Sequence, residues 1–394
     1  MKKHYDYIIC GAGLSGLMLG RSIIRDKALS QKGILIIDKE EKTKNDRTWC
    51  FWENVGFDDH DIVSKKWSLG LYVSKQFQKT INFRLEDYSY KMIRSEDFYR
   101  KFKGELLAHP NVRWLTSPIT QIKERSKSVE VYTPKQIYSS ELVFSSIVDN
   151  TYLDNLKKHP FLLQHFVGWY VKTEKACFDD QKMTFMDFSV NQKGHTRFMY
   201  VLPINRKKAL IEYTLFSKEW LPEKQYTKEI EQYLAKLNSG PYQVLEIEKK
   251  AIPMTTFPFH KNNGKRLIHI GIAGGWTKPS TGFTFYRTLK LSEMIVKSLK
   301  SRKPLPRKPN NNRFLFYDKM LLKVLEKHND KGHIIFDELF QKNNPLIILK
   351  FLSEETTLIQ ELKILASFRF KTKVLFLRAL WNESLSIFTF GQPR

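Results

Sequence analysis

The chain has 394 residues, with 66 lysines and arginines against 41 aspartates and glutamates, a formal net charge of +25. Its 42% hydrophobic and 13% aromatic content suffices for a large core over two or three lobes and excludes a disordered or low-complexity chain. Cys10, Cys50 and Cys177 are far apart and form no CxxC or Cys/His cluster, so neither a disulfide framework nor a metal site is indicated and the chain reads as cytoplasmic.

Tyr5–Cys10 is a short run of β formers, followed by Gly11-Ala12-Gly13-Leu14-Ser15-Gly16 and a helical pattern carrying Leu17, Leu19, Ile23 and Ile24. A second buried-strand run, Gly33–Ile37, ends on Asp38, 22 residues after Gly16, so Tyr5–Asp38 has the order and length of a β-α-β unit. The glycines serve a tight turn, the approach of a pyrophosphate to the backbone, and close helix–strand contact, with the phosphates at the helix N-terminus. Asp38 is set to accept from both hydroxyls of an adenine ribose, which suits NAD and FAD equally.

From Ser68 to Tyr90 the chain alternates apolar and polar residues, as an antiparallel sheet does. Glu96–Leu107 is a predicted helix, and Val129–Val148 holds alternating strands ending at Asp149-Asn150. Phe166–Phe216 concentrates Phe185, Phe188, Phe198, Tyr200, Tyr213 and Phe216, either as a sheet roofing an apolar cavity or as plain core. Glu223–Leu237 reads as an amphipathic helix closed by Asn238-Ser239-Gly240-Pro241. Arg266–Ile270 is a predicted strand leading into a second glycine-rich loop, Gly271–Phe283, and a helix from about Tyr286 to Lys300.

The run Ser301–Asn312 reads as a linker before a helical tail. Ser301–Arg394 holds 17 Lys and Arg against 9 Asp and Glu, a net +8. Phe368, Phe370, Phe376, Leu377 and Trp381 are interspersed with Arg369, Lys371, Lys373 and Arg378. That pattern suits a helix lying at an anionic lipid surface, or an ordinary surface helix of a basic protein. The longest apolar stretches, such as Pro345–Leu349, meet Lys350 far short of the ~20 residues of a membrane crossing, so peripheral attachment to the inner face is the form of membrane contact expected.

Four blocks together, Gly11–Gly16, Asn45-Asp46-Arg47-Thr48-Trp49-Cys50-Phe51-Trp52, Leu210-Ile211-Glu212-Tyr213-Thr214 and Gly271–Phe283, resemble the bacterial lycopene cyclase family over residues 5–300. The resemblance implies an α/β fold with a Rossmann-like FAD-binding domain of the hydroxybenzoate hydroxylase type, an inserted antiparallel-sheet substrate domain and a helical C-terminal region. The expected division is 1–67, 91–155 and 260–300 for FAD, 68–90 and 156–259 for substrate, and 301–394 for the tail. It implies lycopene as substrate, β-ionone rings as product, and reduced FAD used without net oxidation, with NAD(P)H supplying electrons. By position, Gly11, Gly13, Gly16 and Asp38 would hold the ADP half, and Gly274, Gly275, Pro279, Thr281 and Gly282 would lie by the flavin, with Arg47 and Arg94 on the cofactor side. The second loop carries Gly271-Ile272 where many flavoproteins of the wider superfamily have Gly-Asp.

Cyclising a polyene end group needs a proton delivered to a terminal double bond, closure through a carbocation, and loss of a neighbouring proton. The donor must be a carboxylic acid kept protonated by an apolar pocket. Glu212, between Leu210, Ile211 and Tyr213, fits that role unless strand alternation turns it outward. Asp187, in Phe185-Met186-Asp187-Phe188, is the second catalytic candidate, to orient Glu212 or accept the final proton. Trp49, Phe51, Trp52 and Trp276 are the candidate substrate-side aromatics, whose faces stabilise a cation without trapping it. A flavin monooxygenase or a polyprenyl or carotenoid reductase shares fold and cofactor and is the alternative. No RNP-type or KH signature accompanies the charge, so no nucleic acid partner is expected.

Overall fold

The computed structural model describes residues 3–54, 57–148, 159–305 and 312–389. Lys3–Cys10 (β1), Leu14–Arg25 (α1) and Ile34–Asp38 (β2) form the expected β-α-β unit, with β1 and β2 parallel. Two glycines make it possible. Gly11 sits at φ +100°, and a Cβ on Gly16 would fall 1.9 Å from the Gly11 carbonyl oxygen, so helix and strand touch backbone to backbone.

Thr48–Glu53 (β3), Val63–Trp67 (β4), Leu69–Ser74 (β5), Lys79–Arg84 (β6) and Ser89–Arg94 (β7) follow, then Ser95–Ala108 (α2). Val112–Thr116 (β8), Gln121–Glu124 (β9), Val129–Tyr132 (β10) and Ile137–Ser145 (β11) complete the first lobe's strands. The second lobe adds Phe161–Thr173 (β12), Lys182–Asp187 (β13), Arg197–Asn205 (β14), Lys208–Ser217 (β15), Glu223–Lys236 (α3) and Tyr242–Thr255 (β16). The chain then returns through Leu267–His269 (β17) to Phe285–Lys300 (α4). Five helices end it: Asn312–Lys327 (α5), Gly332–Lys342 (α6), Pro345–Leu352 (α7), Leu358–Ser367 (α8) and Phe370–Thr389 (α9).

The first sheet runs β8-β2-β1-β11-β10-β9, with β17 parallel to β11. Its central strands are apolar on both faces, because α1, α2 and α4 cover one of them. The second sheet runs β16-β12-β15-β14-β13-β5-β6 and is antiparallel except where β5 joins β13 in parallel. A three-stranded sheet, β3-β7-β4, stands between the two. Ser68–Tyr90 therefore serves two sheets: β5 and β6 close the far edge of the second, while β7 turns back to the small one.

The second sheet has two unlike faces. One is sealed by α3, with Val167, Met199, Ile211, Tyr213, Tyr226 and Ile230 in a shared core. The other looks toward helices α5 to α9, whose apolar residues join the sheet's aromatic residues in the largest core cluster. The tail is bolted to the second glycine loop: Lys278 Nζ donates to Asp318 of α5 at 2.9 and 2.8 Å and to Glu354 after α7 at 3.2 Å, and Arg287 donates to Glu354 at 2.7 Å. Lys278 is only 3% exposed.

Candidate active site

Strand register builds the site from rows of side chains. Across β14, β15, β12 and β16, Tyr200, Glu212, Gly168 and Glu248 stand directly beside one another. The neighbouring row toward the nucleotide lobe is Phe198, Thr214, Phe166 and Lys250, and the one beyond it brings Phe216, Gln164 and Ile252 together. Alternation along each strand sends all of these to the face opposite α3. All but Gly168 and Glu248 line a cavity of about 730 Å³, which is closed above by Phe336, Leu339 and Phe340 of α6 and Ile348 and Leu352 of α7.

Glu212 is the carboxyl in this floor. It is 8% exposed, and no described residue hydrogen-bonds to it. Its side chain leans over Gly168 toward β16: a Cβ on Gly168 would fall 2.7 Å from Glu212 Cγ and 3.3 Å from Oε1. Burial, and then the negative charge of Glu248, push the Glu212 carboxyl well above the usual range and so favour its protonated form. Glu248 is 5% exposed and accepts from Thr48 Oγ1 at 2.8 Å, while the Tyr170 hydroxyl lies 2.8 Å from the same Thr48 oxygen. Burial raises the Glu248 carboxyl to about 7 against the lowering effect of the Thr48 bond and the Arg94 charge. Tyr200 and Tyr90 meet hydroxyl to hydroxyl at 2.5 Å beside Glu212, and burial raises both phenols.

At the other end of the cavity lie Gly11, Gly13, Leu14, Ser15 and Asp38. A Cβ on Gly13 would meet nothing within 4 Å, so this glycine opens a space in front of the α1 N-terminus, where unpaired N–H groups favour an anion. Asp38 accepts from the Ala12 N–H at 2.6 Å and the Glu40 N–H at 2.9 Å, and Lys42 stands 3.8 Å away. The second loop adds Gly271, Ile272, Ser280, Thr281 and Gly282 between this cradle and the sheet, with Gly282 at φ +73°. A Cβ on Gly282 would fall 2.8 Å from Gln164 Oε1, a buried acceptor with no partner among the described residues. The cavity is continuous from phosphate cradle to buried acid.

The lycopene cyclase protein family profile matches residues 6–379. The chain belongs to the lycopene cyclase family. The match includes the C-terminal helices, beyond the residue 300 limit read from motifs. No curated protein matches the sequence significantly. Among solved structures, this family member superposes on a geranylgeranyl bacteriochlorophyll reductase-like protein of Thermoplasma acidophilum at TM-score 0.59 and 12% identity, covering 93% of this chain and 96% of the other. It superposes on a flavoprotein/dehydrogenase of Cytophaga hutchinsonii at 0.60 and 11%, covering 89% and 93%. The halogenase PltM, solved with phloroglucinol and FAD, superposes at 0.58 and 12%, covering 89% and 82%. The fold is of the hydroxybenzoate hydroxylase type.

In this cyclase-family chain the predicted residues divide. Glu212, Gly11, Gly13, Asp38, Arg47, Thr281, Gly282 and Trp49 line the cavity. Gly16, Gly274, Gly275 and Pro279 lie behind it and shape the turns: a Cβ on Gly274 would strike the His269 carbonyl oxygen at 2.2 Å, and Gly275 sits at φ +70° against Phe259. Arg94 pairs with Glu246 at 2.7 Å and lies over the Tyr170 ring. Phe51 stacks on Phe285 at 4.5 Å in the first lobe's core, and Trp276 packs in that core too, so neither reaches the cavity. Trp52 sits one layer back, stacked on Tyr90. Asp149 lies outside the described residues.

Asp187 is a correction. A bulge between Thr184 and Asp187 pairs Asp187 with Met199, on the α3 face of the sheet. There it accepts from the Tyr233 hydroxyl and the Ser189 N–H, both at 2.8 Å, so it neither orients Glu212 nor reaches the cavity. Sequence reasoning misses Thr48, Tyr170, Gly168 and Glu248, because their strands have to be paired before the residues meet. The signal available is Glu246-Ile247-Glu248, carboxylates in period-2 alternation within a β-forming run.

Proposed function

We propose that the chain is a lycopene β-cyclase that binds FAD and converts lycopene end groups to β-ionone rings. The carrying observation is Glu212: a carboxyl without hydrogen-bond partners among the described residues, kept protonated by burial, at the apolar end of a cavity that starts in a phosphate cradle. Its proton passes to the terminal double bond, the new C–C bond closes the ring as a tertiary carbocation, and a proton leaves the adjacent carbon for the Glu212 carboxylate, restoring the acid. Proton gain and loss balance, so no net redox change accompanies the reaction. The surrounding wall is suited to a cation: Tyr90, Tyr200, Phe166, Phe185 and Trp49 offer ring faces, and burial keeps the neighbouring Cys50 as the neutral thiol.

FAD fits the residues present, since the open Gly13 position, the α1 N-terminus, Asp38 and the left-handed Gly282 leave backbone where a dinucleotide needs it. Gly11, Gly13, Ser15 and Asp38 would hold its ADP half and Thr281 and Gly282 its ring end, and in the form reduced by NAD(P)H it would supply electron density that stabilises positive charge. Expression in a lycopene-producing cell, with pigments analysed by mass and absorption, tests the reading: cyclisation leaves the mass unchanged, whereas added oxygen or hydrogen marks a hydroxylase or reductase.

Membrane docking belongs to the same proposal. No described helix is long and apolar enough to cross a bilayer. Phe370, Leu377 and Trp381 of α9 are 80, 62 and 68% exposed next to Lys371, Lys373 and Arg378, while Phe368 and Phe376 pack inward. These outward residues suit insertion at an anionic interface. Sedimentation with anionic liposomes should fall severalfold in Phe370→Ser/Trp381→Ser, and unchanged binding would remove α9 from the interface.

A further inference from the structure

Glu212 alone does not explain why Glu248 is buried beside it. The two carboxylates stand on strands flanking β12, and the residue between them is a glycine whose missing side chain lets Glu212 lie across the strand. Glu248 is meanwhile held in place by a Tyr170–Thr48 hydroxyl chain. We propose, resting on the cyclase reading, that Glu212 and Glu248 form one carboxylate pair across Gly168, in which Glu248 is the positioning residue that keeps the proton on Glu212. Above about pH 7, where Glu248 has lost its proton, the pair holds a single proton. It sits on Glu212, which faces the cavity, while the charge sits on Glu248, which is tied to hydroxyl donors.

The groups facing the pair act on its two members unequally. Around Glu248 are Arg94 of β7, Glu246 and Lys250 of its own strand, and the hydroxyls of Thr48 and Tyr170. Around Glu212 are Tyr200, Tyr90 and Cys50, all neutral at physiological pH because burial raises each of them. The cations therefore favour the ionised form of Glu248, and its charge in turn disfavours ionisation of Glu212. When Glu212 gives its proton to substrate, two like charges face each other across Gly168, a state that drives proton return and resets the site.

The test is the pH profile of kcat with lycopene in liposomes and reduced FAD. Glu248→Gln removes the neighbouring charge, lowers the proton affinity of Glu212 and should move the alkaline limb toward acid by roughly one pH unit. The rate at pH 8 should then fall about tenfold relative to that at pH 6, with KM unchanged. Glu248→Asp, which keeps the charge, should restore the limb. Should Glu248→Gln fail to fold, Gly168→Ala reports instead: its Cβ displaces the Glu212 side chain from β16 and should shift the limb with every titratable group in place. A Glu248→Gln profile that superimposes on wild type, or falls equally at all pH values, overturns the pair. Glu212→Gln separates the two ideas, because near wild-type cyclisation there overturns the acid assignment itself, whatever Glu248 does.

Discussion

Asp187 and Glu212, buried on opposite faces of the second sheet, are treated in opposite ways. On the α3 face Asp187 receives two hydrogen bonds and closes a sealed core. On the cavity face Glu212 receives none from the described residues, and burial is answered by keeping the proton. Glu248, on the same face, lies between the two: it is buried like Glu212 but accepts from Thr48.

The comparison breaks most directly at Glu212. Glu212→Gln preserves shape and should lower cyclisation by ~10²–10⁴, the usual contribution of general acid catalysis, with folding and flavin content unchanged. Replacing Gly13 by Val should give a folded protein that purifies without flavin absorbance, because the added side chain meets only the space left for the dinucleotide. Normal flavin content in that variant would refute the cradle.

The cavity face should also carry a measurable stability cost. The Glu248 carboxyl is raised in the folded state, so the folded protein binds its proton more tightly than the unfolded chain. Its contribution is complete below the unfolded value near 4.5 and is lost as pH rises toward about 7. That range is worth about 3 kcal/mol, so the denaturation midpoint of Glu248→Gln relative to wild type should rise between pH 4.5 and 7 and level off above. A difference independent of pH would show that Glu248 does not titrate in that window. Asp187→Ala should show the smallest effect on function: a loss of about 1–3 kcal/mol with unchanged activity per folded molecule. Lost cyclisation at unchanged stability would return Asp187 to the chemistry.

What can be seen in the sequence follows from range. The Gly11–Gly16 turn and Asp38 are local signals, and both ends of the β-α-β unit fall where the spacing predicts. Glu212 is visible through its apolar neighbours and its motif block. Asp187 defeats the same reasoning because a single bulged residue reverses strand parity, so the alternation that would have sent it to the cavity sends it to α3. Glu248 is hidden for a different reason: it meets Glu212 only through the pairing of two strands with β12, and no local pattern encodes a third strand's register. Trp276 and Phe51, conspicuous as isolated aromatics, are core because the nucleotide lobe needs filling.

The Lys278 bolt makes the tail inseparable from the cofactor loop. Ending the chain before α5 would strip that ammonium of Asp318 and Glu354 and leave a bare cation one residue from Pro279, inside a loop whose glycines have no room for a side chain. On the proposed function, truncation should impair flavin retention and lipid docking together. By the same linkage, a displacement of α5 or of the segment after α7 is felt at the backbone of Lys278, three and four residues before Thr281 and Gly282 of the cavity wall.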